Sequence, residues 1–277
     1  MRVSVNLVDC ANCGTQPYPR ATFCHHCGNA LPSASEAPLG GVPWAPRDIG
    51  KAIGLVVLAI ILTAIPAGLI AVIVADGEDA TKHPGALTVQ LAAGAFLELA
   101  LLFTAIHFTV RKYGTPLSAL GFKRPERGGF WSTLGIAIAL VIAGLVVNAA
   151  YFEALALVGI EPETDIKEIF ESPGPLITIA LLSLLFAPIM EEVFYRGFVF
   201  GGLRPRWGLA WAALASGLLF GVSHLGNPAG IYLVPPITII GAMFAWAYAY
   251  SGSIVTSFLA HFLFNLFALG AGIAEYS

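Results

Sequence analysis

Residues 175–203 read PLITIALLSLLFAPIMEEVFYRGFVFGGL, an apolar run long enough to cross a bilayer with Glu191, Glu192 and Arg196 set inside it. An ionised side chain at the bilayer centre costs about 2.5–3.5 kcal/mol on insertion scales. Three such groups within one short stretch therefore require partners, water or a chemical task. Partners exist: His224, His261 and Asn265 also lie inside apolar segments. Helical spacing divides the three charges. Glu192 and Arg196 are four apart with the glutamate first, the favourable order for an ion pair. Glu191 is turned by about 100° from Glu192 on an α-helix and falls off that face. The spacing thus predicts a neutralised pair, Glu192–Arg196, and one unpaired carboxylate, Glu191, suited to act as a general base. Pro188 deprives the Leu184 carbonyl of its helical donor, which predicts a kink just before the pair.

The rest of the chain agrees with a membrane setting. Of 277 residues, 57% are hydrophobic and 11% charged, where a soluble domain carries about 25% charged residues. Seven apolar segments follow one another at 49–75, 86–110, 130–158, 175–203, 207–225, 231–250 and 253–273. The expected fold is an all-α polytopic membrane protein of about seven transmembrane helices, preceded by a small N-terminal zinc ribbon. The net charge of −3 gives no case for a nucleic-acid partner. Residues 1–48 are polar and rich in proline and glycine, without the charged and apolar regions of a signal peptide.

Positive charge sets the orientation. With a cytoplasmic N-terminus, eleven Lys and Arg residues fall inside and only Lys82 and Lys167 outside, Arg196 being within a span. The outer loops are acidic, carrying Asp76, Glu78, Asp79, Glu161, Glu163, Asp165, Glu168 and Glu171. The expected location is a prokaryotic cell membrane, N-terminus in the cytoplasm and C-terminus outside.

All four cysteines lie in the first 27 residues, as Cys10-Ala-Asn-Cys13-Gly and Cys24-His-His-Cys27-Gly. Two such knuckles let four thiolates close a tetrahedral shell around a structural Zn2+, and the glycine after each permits the tight turn. A segment this small buries almost no core without the metal. Two disulfides or redox thiols are the alternatives, and the reducing compartment disfavours the first. Residues 9–28 are thus expected to be a zinc ribbon, 29–48 a flexible linker and 49–277 the membrane domain.

Two further motifs complete the intramembrane constellation: Phe220-Gly-Val-Ser-His224, and His261-Phe-Leu-Phe-Asn265, whose two polar residues share a helical face. A carboxylate, two imidazoles and a carboxamide can hydrolyse an amide: the glutamate takes a proton from water, an imidazole orients that water, and neutral donors hold the oxyanion. The same atoms could hold a catalytic Zn2+. Metal-free chemistry is favoured, because a carboxamide four residues from a histidine serves an oxyanion better than a metal.

The order Glu-Glu-x3-Arg, Phe-x3-His, His-x3-Asn on successive spans resembles the CPBP family of CAAX prenyl endopeptidases and related bacterial intramembrane proteases. The likeness covers about residues 110–270 and includes, less specifically, the stretch Thr115–Arg124. It implies Glu191 as catalytic base with His224 as its partner on the water, His261 and Asn265 as the oxyanion-stabilising pair, and Glu192 and Arg196 in support. The substrate implied is a membrane-associated or CAAX-like peptide, and the zinc ribbon could hold a protein partner. The alternatives are a non-catalytic immunity or binding protein of the same fold, or a transporter with a polar ion path. Straight, upright helices leave one difficulty. They place Glu191 roughly 18 Å, His261 about 12 Å and His224 about 26 Å from the cytoplasmic ends of their spans.

Overall fold

The computed structural model describes residues 10, 13–15, 26, 42–162, 166–226 and 229–276. The chain divides into two compact units, Met1–Pro43 and Trp44–Ser277. In the first, the backbone turns tightly at the first knuckle. The N–H groups of Cys13 and Gly14 donate to the Cys10 carbonyl at 3.3 and 2.8 Å, and Gly14 has φ of 65°. A positive φ is where glycine is needed, which accounts for its place after the cysteine pair. Cys24 and Cys27 lie outside the described residues, as does most of the linker, so the zinc ribbon as a whole is beyond what the structure describes.

The second unit is built of helices joined by turns, with no strand among its described residues. Its α-helices are α1 Pro46–Ala75, α2 Pro84–Ile106, α3 Gly129–Leu157, α4 Lys167–Glu171, α5 Pro173–Leu181, α6 Ala187–Glu191, α7 Gly201–Val222, α8 Gly230–Ser251 and α9 Ile254–Tyr276. Proline opens α1, α2 and α5, at positions where the missing N–H would have had no helical partner. His83 caps α2 by accepting from the Ala86 N–H at 3.2 Å. Gly252, in the left-handed region at φ 68°, closes α8 and lets the chain turn into α9.

Among the described residues, six helices are long and apolar enough to cross a bilayer, where the sequence shows seven apolar segments. The segments at 175–203 and 207–225 are joined in one helical run, Pro173–Val222, of 50 residues. Straight, that run would measure about 75 Å, more than twice the hydrocarbon thickness. It breaks at Gly208, whose φ of 76° and ψ of 177° a side chain would not tolerate. Beyond Gly208 the chain folds back on itself, and Ser216 Oγ donates to the Tyr195 carbonyl at 2.7 Å. The arm from residue 209 to 222 is only about 21 Å long, too short to count as a span of its own.

Close packing of α7 on α8 completes the frame around this hairpin. A Cβ at Gly217 would overlap the Thr238 carbonyl and lie 2.8 Å from the Ala242 nitrogen; one at Gly221 would lie 2.7 Å from the Val234 carbonyl. Small residues allow this approach, which supplies the van der Waals contact that holds helices together in lipid. Gly217→Ala is therefore expected to destabilise the protein by about 1–3 kcal/mol. Gly54→Ala, where nothing lies within 4 Å, should leave unfolding in detergent unchanged; equal effects would contradict the packing.

Candidate active site

The polar residues of the membrane domain meet where the long helical run changes register twice. Between α5 and α6 the residues Leu182–Phe186 form a π turn, in which the Ala187 N–H bonds to the Leu182 carbonyl. Between α6 and α7 the residues Glu192–Phe200 form a longer π stretch, and all nine of its residues are buried. Such wide turns are rare and concentrate at functional sites. Tertiary contacts hold this one in place. The Leu120 carbonyl sits so close to Gly197 that a Cβ there would approach it to 2.6 Å. That contact comes from the turn Leu117–Leu120, within the Thr115–Arg124 stretch. The same stretch is tied to the α8–α9 connection through the Ile254 N–H on the Gly121 carbonyl and the Ser253 hydroxyl on the Lys123 carbonyl.

Arg196 and Glu192 are both fully buried, with Nη1 2.9 Å from Oε1. This is the ion pair the spacing predicts. The guanidinium also donates through Nη2 to the Gly241 carbonyl at 3.3 Å. It lies over the rings of Phe220 at 4.4 Å, Phe244 at 5.3 Å and Tyr195 at 5.9 Å. Arginine suits such a place because its weakly hydrated plane stacks on aromatic faces while pairing with a carboxylate.

Glu191 makes no ion pair with Arg196, as expected, but the reason differs from the α-helical argument. In a π register, five residues span about one turn, so Glu191 and Arg196 are not on opposed faces, and the Arg196 field reaches Glu191 without contact. The nearest partner of Glu191 is His261. Its Nε2 lies 3.5 Å from Glu191 Oε2, and its Nδ1 lies 3.0 Å from Glu192 Oε1. One imidazole thus bridges the two glutamates. The longer contact is at the limit of a hydrogen bond and would tighten with a small movement.

His224 stands apart from this bridge. Its Nδ1 is 2.8 Å from the Phe220 carbonyl. A carbonyl only accepts, so Nδ1 carries the hydrogen and Nε2 is left as an acceptor. The Phe220 ring joins the two imidazoles, lying 4.9 Å from His224 and 5.5 Å from His261 between ring centres. The depth mismatch of upright helices is thereby removed. The hairpin at Gly208 places the Phe220 ring between His261 and His224.

Asn265 is placed differently from the implied pairing with His261. Its Nδ2 donates to the Ser183 carbonyl at 2.8 Å. Ser183 belongs to the π turn, and in the i→i+5 pattern the donor for its carbonyl would be residue 188, which is proline. The orphan carbonyl created by Pro188 is therefore Ser183, one residue from the Leu184 of an α register, and Asn265 satisfies it. One N–H of the carboxamide remains for other use. Glu98 on α2 is a further acid of this region that the sequence does not assign. It is buried, one of its carboxylate oxygens has no protein partner among the described residues, and its charge acts on Glu191. Its only signal is that an intramembrane acid is a functional candidate by default. No group of three or more His, Cys, Asp or Glu side chains among the described residues is placed to hold a metal ion.

The clasp between α9 and the π turn yields a stability prediction. Asn265→Ala leaves a partly buried carbonyl unpaired and should cost about 1–3 kcal/mol in unfolding measurements. Adding Pro188→Ala restores a local N–H, so the double variant should be more stable than Asn265→Ala alone. A double variant that is less stable would contradict the assignment.

Residues 173–267 match the Type II CAAX prenyl endopeptidase Rce1-like family. Every polar residue of the site on α6, the π stretch, α7 and α9 lies within that span, while Glu98 does not. The chain is also similar to the Bacillus subtilis (strain 168) protein named "Putative membrane peptidase YdiL", with 27% identity over 140 residues. That alignment covers 50% of this chain and 54% of the relative, so the chain spans about half the length of the curated protein it matches. No solved structure matches. Residues 173–267 of this multi-pass membrane protein are thus similar to a family of membrane proteases.

Proposed function

We propose that the protein is an intramembrane endopeptidase, with Glu191 as the base that activates water. The observation that carries this reading is the buried contact chain Arg196–Glu192–His261–Glu191. Arg196 neutralises Glu192, Glu192 fixes His261, and His261 meets Glu191, which has no cation of its own. The similarity of residues 173–267 to a protease family supports the same conclusion.

Glu191 takes a proton from a water molecule as its oxygen attacks the carbonyl carbon of a peptide bond. His224 Nε2, an acceptor because Nδ1 is held by the Phe220 carbonyl, orients that water. The free N–H of Asn265 stabilises the oxyanion of the tetrahedral intermediate, while His261, its Nδ1–H held by the Glu192 carboxylate, presents Nε2 as an acceptor for the proton that Glu191 takes up. The proton on Glu191 then passes to the leaving nitrogen, the C–N bond breaks, and a carboxylate and an amine are released. All steps use the chain's own groups. The substrate class is a membrane-associated peptide or protein entering from the bilayer, CAAX-like by similarity to the matched family. The N-terminus is assigned to the cytoplasm by the distribution of Lys and Arg.

We also assign Cys10, Cys13, Cys24 and Cys27 to a structural Zn2+ in the N-terminal unit, a reading supported by the knuckle turn at Cys10–Gly14.

Two measurements check these roles. Glu191→Gln, purified in detergent, should cleave a peptide substrate at least about 100-fold more slowly than the wild type without a lower melting temperature. Retained cleavage would overturn the assignment. Elemental analysis should find one zinc per chain, absent after Cys10→Ser with Cys13→Ser; two zincs per chain would place a metal in the membrane site.

A further inference from the structure

Trp44 lies outside the family match, just ahead of α1, and its side chain is completely buried. Its indole Nε1 donates to the Phe198 carbonyl at 2.9 Å. Phe198 sits in the π stretch, two residues beyond Arg196. Its carbonyl also accepts from the Gly201 N–H, at the junction where the π pattern gives way to α7. The indole occupies the space that two glycines leave open. A Cβ at Gly202 would lie 2.7 Å from Trp44 Cδ1 and 2.8 Å from Nε1, and one at Gly201 would lie 3.7 Å from the ring.

The other side of Trp44 is anchored as firmly. Arg206 Nη1 donates to the Trp44 carbonyl at 3.3 Å and to the Gly202 carbonyl at 2.8 Å. Four residues on, fully buried Asp48 accepts from the Ala45 N–H at 3.0 Å, from the Tyr113 hydroxyl at 2.8 Å and from the Lys112 ammonium. The start of α1 is thereby fixed to the residues Lys112 and Tyr113 that follow α2. The indole is a rigid body projecting from that anchor onto the catalytic helix.

We propose that Trp44 is a positioning residue for the membrane site, pinning the Phe198 carbonyl near the end of the π stretch and so holding Glu191, Glu192 and Arg196 in register with His261. A π stretch has no intrinsic advantage over an α-helix. Its persistence needs outside contacts that an α-helical continuation would not make, and the Trp44 N–H on the Phe198 carbonyl is one. Without it, the stretch gains access to other registers, and a one-residue shift rotates Glu191 away from His261. The kinetic consequence rests on the peptidase reading; the structural one does not.

The test uses the full chain in detergent, with hydrogen exchange as the first readout. Trp44→Phe keeps the ring and loses the N–H; exchange across residues 192–203 should rise about five- to tenfold while α8 and α9 are unchanged. Gly202→Ala, which forces the ring out, should give the same pattern, and adding it to Trp44→Ala should have no further effect. On a peptide that the wild type cleaves, Trp44→Phe should lower kcat with little change in KM. Unchanged exchange at 192–203 in Trp44→Phe, a rise spread equally over all helices, or additive effects of the Trp44 and Gly202 changes would overturn the proposal. If the wild type cleaves no peptide, the peptidase reading falls and the exchange results still decide the role of Trp44.

Discussion

The buried ion pair between Glu192 and Arg196 is the constraint around which the membrane domain is organised. Both side chains are withdrawn from solvent, and breaking such a pair from one side strands a charge at a cost of about 3–5 kcal/mol. Everything that touches the pair also serves another purpose. The Gly241 carbonyl that receives Arg196 lies where α7 and α8 approach most closely, an approach allowed by Gly217. Phe220, beneath the guanidinium, is also the ring that both histidines flank. Satisfying one charge thus fixes two helices and aligns the groups around Glu191.

The π register is the second constraint. Pro188 removes an N–H and Asn265 supplies another in its place. At the far end Trp44 and Leu120 press against Phe198, Gly202 and Gly197. The wide stretch is held from three separate parts of the chain: the start of α1, the turn at Leu117–Leu120, and α9. Two of these contacts come from outside the family-matched segment, which explains why a short similarity does not describe the whole site.

Much of this was legible in the residues. Apolar run length located the helices to within a few positions, and the spacing of Glu192 and Arg196 identified the ion pair. Two features were not legible. The gap between the apolar segments 175–203 and 207–225 marks a break, but not that Gly208 is the residue that turns the chain back, because glycine is common in spans and only its φ marks it. Nor does spacing reveal a π register, since that depends on contacts such as the Trp44 indole that are distant in sequence. The consequences fell on particular residues. Spacing does not show that the Asn265 carboxamide reaches the Ser183 carbonyl or that His261 is the imidazole against Glu191, and Glu98 has no motif to mark it.

The central claim is the division of labour between adjacent glutamates: Glu192 is bound to Arg196 and Glu191 is free of it. The most direct test is a pair of double-mutant cycles on unfolding free energy in mixed micelles, crossing Arg196→Met with Glu192→Gln and with Glu191→Gln. The account predicts a coupling of about 2–3 kcal/mol for the first cycle and a clearly smaller one for the second, where the arginine acts on Glu191 through its field alone. A larger coupling in the Glu191 cycle would show that the arginine serves the supposed base, and would contradict it.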